Sequence, residues 1–117
     1  MILTETETQA AEILRQASAE LFIRGRITGE YRSDMTGAVC AFGALDAASA
    51  YLRFNQYGHA HCLAMRALNL MAEDYGTDIY TEVNDIEFSD VYDDENTEAV
   101  RDDMDYAATL IERGRLR

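Results

Sequence analysis

Apolar residues recur at helical spacing in several stretches of the chain. Ala10, Leu14, Ala17 and Leu21 follow one another at intervals of four, three and four, which places them on one helical face. Thr4 and Glu7 have the spacing of a capping box, and Gly25 suits a C-terminal stop, so a first helix is predicted over residues 5–24. Residues 25–37 hold Gly25, Gly29 and Gly37 among Thr28, Ser33, Asp34 and Thr36, a density of breakers that predicts a loop with a short extended piece over 27–32.

Thr36 is the expected N-cap of a second helix over 38–54, where bulky Val39, Phe42, Leu45, Leu52 and Phe54 alternate with Gly43, Ala44, Ala47, Ala48 and Ala50. Small residues at helical spacing let another backbone approach closely, which predicts a central place for this helix. A third helix is predicted over 59–75, with Ala60, Leu63, Ala64, Ala67, Leu68 and Met71 as its stripe and Gly76 at its end. Thr77 or Asp78 caps a short fourth that carries Ile79 and Val83 and stops near Asn84 and Asp85; residues 86–96 then read as a charged loop. Asn96 or Thr97 opens the last helix, Val100, Met104, Ala107, Ala108 and Ile111 line it, and Gly114 closes it among Arg113, Arg115 and Arg117. The pattern predicts an all-α chain, a compact bundle of four or five helices in a single domain over residues 1–117.

Composition agrees with this and narrows the setting. At 117 residues and 48% hydrophobic, the chain suffices for one core and not for two. It has no uninterrupted apolar run of about 18 residues, as a membrane span requires, and its first residues have no secretory pattern. The expectation is a soluble, cytoplasmic protein with no membrane partner, in which Cys40 and Cys62 remain thiols.

Charge is the most informative bulk property. There are 22 acidic residues against 10 basic, all of them Arg, for a net charge of −12. Residues 73–105 hold 14 acids and Arg101 alone as a cation. A surface of that sign repels phosphate backbones, which argues against direct nucleic-acid binding and favours a basic protein partner. Asp90, Asp93, Asp94, Glu95, Asp102 and Asp103 are the expected interaction face, with plain solubility as the competing explanation.

Candidate chemistry is sparse. A thiol site would take Cys40 near a helix start, His59 or His61 as its base and Asn84 or Asp85 to orient the imidazole; simple packing of a small buried residue is the competing reading. His59 and Cys62, three apart, share a helical face while His61 points elsewhere, so this segment supplies two metal ligands and Cys40 would have to add a third. The acids around Asp90 lack the glycine and the ligand order of a calcium loop. No phosphate loop, dinucleotide fingerprint or nucleophile elbow is present, so no metal, cofactor or catalytic residue is assigned.

The segment Cys40-Ala41-Phe42-Gly43-Ala44-Leu45, with Asn84-Asp85 downstream and a final helix from Thr97, resembles an uncharacterised family of small actinobacterial and actinophage proteins, a domain of unknown function. Its members share a Cys-Ala-x-Gly-Ala-Leu helix, usually with Trp before the Cys, and a later Trp-Asn-Asp; here Val39 and Val83 stand in place of both tryptophans. The resemblance spans roughly residues 10–112 and implies that Cys40, Gly43, Asn84 and Asp85 serve the fold or a site, without implying an activity. The residues themselves suggest structural roles: close helix approach at Gly43, a helix end at Asn84, backbone bonds to Asp85. Two functions are thus in play. One is a non-enzymatic interaction module, phage-encoded and acting on a host protein; the other is a cysteine-dependent hydrolase or transferase using Cys40.

Overall fold

The computed structural model describes residues 3–25, 33, 35–56, 58–73 and 97–115. Among these are four helices and no strand: α1 (Glu5–Arg24), α2 (Ala41–Leu52), α3 (His59–Glu73) and α4 (Thr97–Glu112). The short helix expected over 78–85, the stop at Gly76, the extended piece over 27–32 and the cap at Asn96 lie outside the described residues. Thr97 is the first helical residue of α4.

The first helix begins as its sequence predicts. The Glu7 N–H donates to Thr4 Oγ1 at 3.1 Å and the Thr4 N–H to Glu7 Oε1 at 2.9 Å, a reciprocal capping box. At the other end the Gly25 N–H donates to Leu21 O at 3.0 Å. Its φ of +82° and ψ of 165° place it in a region that only glycine occupies readily, so the stop is as expected although the residue is not in the left-handed helical well.

The second helix starts later than the sequence suggests. Its N-cap is Cys40, not Thr36: the Val39 N–H donates to Gly25 O at 3.1 Å, which holds this residue extended and ties the chain back to the end of α1. Thr36 belongs to the turn before it, where the Ser33 hydroxyl accepts the Thr36 N–H at 3.3 Å and Thr36 Oγ1 accepts the Ala38 N–H at 3.2 Å. The helix also stops at Leu52 rather than Phe54. Arg53 takes a left-handed conformation (φ 62°, ψ 33°), its N–H reaches Ala50 O, and the Phe54 N–H reaches Ser49 O at 2.8 Å. The same 6→1 and 5→2 pairing closes α4, with Gly114 at φ +71°, Gly114 N–H to Ile111 O and Arg115 N–H to Leu110 O.

The central helix is α1, not the alanine-rich α2. It packs against all three other helices, most extensively α4, whereas α2 and α3 touch each other far less than either touches α1. The reason is the width of its buried arc: Ala10, Ala11, Ile13, Leu14, Ala17 and Leu21 are all buried, so a broad part of its circumference is apolar and can meet more than one partner. Ala41, Ala44 and Ala48 of α2, Ala64, Ala67 and Leu68 of α3, and Val100, Met104 and Ile111 of α4 complete one core.

A polar seam borders it where α1 runs beside α4. Arg15 pairs with Glu112 and donates to Thr109 Oγ1, and the Arg101 guanidinium donates to Ser18 O at 3.0 Å. No helix among the described residues is long and apolar enough to cross a membrane.

Candidate functional site

Cys40 stands at the junction between the turn of residues 33–39 and α2, and it is fully buried. Its Sγ accepts the Gly43 N–H at 3.3 Å, so the sulfur caps the helix in the way a Ser or Asp oxygen does at other helix starts. Gly43 is buried in the first turn. Burial and the cap bond give this sulfur a packing and capping role, the competing reading of Cys40 that the sequence offered. Asn84, Asp85, Asp90, Asp93, Asp94 and Glu95 lie outside the described residues.

The histidines separate as their spacing requires. His61 turns inward and is 2% exposed; Ser49 Oγ lies 2.6 Å from its Nδ1, and Asp46 Oδ1 lies 3.2 Å from its Nε2. Asp46 and Ser49 are three apart on α2, so they project from one face toward the single imidazole on α3. One tautomer satisfies both partners: Nε2–H donates to the carboxylate, and Nδ1 accepts the Ser49 hydroxyl. The residue types are those of a hydrolase triad, but the ring is reversed, with serine on Nδ1 and aspartate on Nε2, and Ser49 is fully buried. The trio clamps α2 to α3, with His61 and Ser49 buried and Asp46 partly open to solvent. Sequence reasoning missed it because the pairing bridges two helices, and no local motif marks Ser49.

His59 faces outward. Gly58 precedes it in a turn so tight that a Cβ would sit 3.2 Å from Asn55 O, and the Cys62 N–H donates to Gly58 O at 3.1 Å to begin α3. His59, exposed Cys62 and Arg66 then line a cleft of about 430 Å³ against the start of α1. Among the described residues no group of three or more His, Cys, Asp or Glu is arranged to hold a metal ion.

On α4, Asp102 is exposed and Asp103 half-buried. Arg101 turns away from them, with its guanidinium 4.7 Å above the centre of the Phe22 ring and its Nε–H on Ser18 O. Phe22 and Ile23 at the end of α1 are 72% and 73% exposed, and Tyr106 is 56% exposed one turn after Asp102.

The profile of a family described only as a family of unknown function (DUF6197) matches residues 5–113. Among curated proteins and among solved structures, none matches the chain.

Proposed function

The chain belongs to that family of unknown function, and we propose on physical grounds that it is a non-enzymatic protein-interaction module that engages a partner with a basic surface. One observation carries this reading. Arg101, the single cation among the 14 acids of residues 73–105, is turned onto α1, so it does not neutralise the outward face on which Glu98 and Asp102 stand. Exposed Tyr106, on the same helical face as Glu98 and Asp102 by their spacing of four, supplies an apolar contact of the kind that an interface adds to charge. In a phage-encoded member the partner would be a host protein.

The reading is tested by capture from lysate with the native protein and with a Glu98→Gln, Asp102→Asn, Tyr106→Ser variant. These positions are outside the core, so the variant should fold with a stability change of roughly 0.5 kcal/mol or less at each site. Partners that are retained by the native chain, released by salt and lost by the variant support the proposal. Identical partners at identical salt tolerance would reduce the acidic face to a solubility device.

A further inference from the structure

The cleft between the start of α1 and the outer side of α3 is separate from the acidic face of α4, and its chemistry has the opposite sign. Its volume of about 430 Å³ is that of a small-molecule pocket, which usually runs to roughly 300–1,000 Å³. One carboxyl group borders it, that of Glu7, and this group belongs to the fold. Its Oε1 accepts the Thr4 N–H at 2.9 Å in the capping box, and its Oε2 has less than 1 Å² of surface. Glu5 borders a neighbouring hollow and not this cleft.

What the cleft offers is donors. Arg66 is exposed and has no ion pair or hydrogen bond among the described residues, whereas Arg15 and Arg24 are paired with carboxylates. His59 stands on the same face of α3, with Cys62 between them by the i, i+3, i+7 spacing, and adds a ring N–H. Across from them the Thr4 oxygen accepts the Glu7 N–H, which leaves the hydroxyl proton to donate, and Thr6 brings a second hydroxyl. Leu63 gives the cleft apolar surface.

We propose that this cleft binds a small monocarboxylate, its carboxylate on the Arg66 guanidinium and its apolar part against Leu63. Arg holds a carboxylate by two parallel N–H bonds, which fixes the ligand's orientation as well as its sign. A cation would meet Arg66 with no open carboxylate to offset it. A neutral ligand would strip water from the guanidinium without replacing its charge partner. A dianion would find no second arginine among the described residues of the lining, while both of its charges are repelled by a chain of net charge −12.

Cys62 provides the readout, since it is exposed in the cleft while Cys40 is buried. Iodoacetamide alkylation of the folded protein is followed by mass spectrometry at constant ionic strength. The probes are butyrate, hexanoate and benzoate, their primary amides, and succinate and inorganic phosphate as dianions. At least one of the three monocarboxylates is expected to slow Cys62 alkylation by about tenfold at saturation. Its amide is expected to give no protection, and the dianions less protection at equal concentration.

Arg66→Gln should raise the half-protecting concentration of that monocarboxylate by about tenfold, the affinity change that about 1.4 kcal/mol corresponds to. Arg66 is exposed, so unchanged thermal melting is expected of the variant. The proposal is overturned if no monocarboxylate protects, if the amide or a dianion protects equally, or if Arg66→Gln leaves protection intact.

Discussion

Ser49 Oγ and His61 Nδ1, 2.6 Å apart, join α2 to α3 by a hydrogen bond with almost no access to solvent. The two helices pack far more on α1 than on each other, and this bond and the Asp46 contact at His61 Nε2 tie them directly.

Removing the hydroxyl while keeping the imidazole should be costly. Ser49→Ala leaves a buried ring nitrogen with no donor, a loss of about 1–3 kcal/mol. Asp46→Asn keeps an acceptor for Nε2–H at a half-exposed position and should cost less. Urea unfolding of the two variants checks the order; equal losses would mean that the Ser49 bond is not the one that counts.

Arg53 holds a left-handed conformation that side chains with a Cβ adopt at a cost of roughly 1–2 kcal/mol. It closes α2 in the position that Gly114 occupies after α4. Arg53→Gly should therefore raise stability, by about 0.5–1 kcal/mol after the added freedom of glycine in the unfolded chain is subtracted. The shift is read from the urea midpoint at unchanged slope.

Cys40 should behave as a cap and not as a nucleophile. Under native conditions iodoacetamide should add once, at Cys62, and a second time only after unfolding. Sulfur is a weak acceptor, so Cys40→Ala should lose about 0.5–1 kcal/mol, and Cys40→Ser should retain more stability than the alanine variant because its hydroxyl can accept the Gly43 N–H. Rapid native alkylation at Cys40 would favour the thiol-enzyme reading.

How much of this was legible in the sequence follows from whether the cause is local. The capping box of Thr4 and Glu7 and the stops at Gly25 and Gly114 depend on residues within five positions of one another, and all three are where the sequence puts them. The start of α2 is not local. Val39 continues the apolar pattern of the helix, but its N–H is taken by Gly25, fourteen residues earlier, and that bond holds the helix start back to Ala41. Arg53 gives no sequence signal for a helix end, because arginine has no preference for the left-handed conformation in which it closes α2.

The candidate sites divide in the same way. The i, i+3 spacing of His59 and Cys62 foretold a shared face with His61 off it; that His61 points inward is seen only in the structure. Nothing in the sequence says that α1 supplies the opposite wall of the cleft, or that Ser49 waits for His61.

The seam between α1 and α4 offers a test of how charge acts in this fold. Glu112 accepts a hydrogen bond from Arg15, and that bond is the main reason the guanidinium is held above its ordinary value; burial opposes it, and the charges of Glu112 and Asp105 add to it. A raised value in the folded state means a stabilising contribution that is complete below the unfolded-state value and disappears only as pH rises through the folded one. For arginine both lie far into alkali. Between about pH 6 and 9 the contribution should thus be constant.

Its size is limited, because the two side chains are 45% and 43% exposed and solvent screens the pair. A double-mutant cycle of Arg15→Gln and Glu112→Gln should give a coupling of about 0.5 kcal/mol. Raising the salt should diminish it, since the pair is open to counterions. A coupling that fell steeply across neutral pH would show that another titrating group, and not the guanidinium, governs the seam.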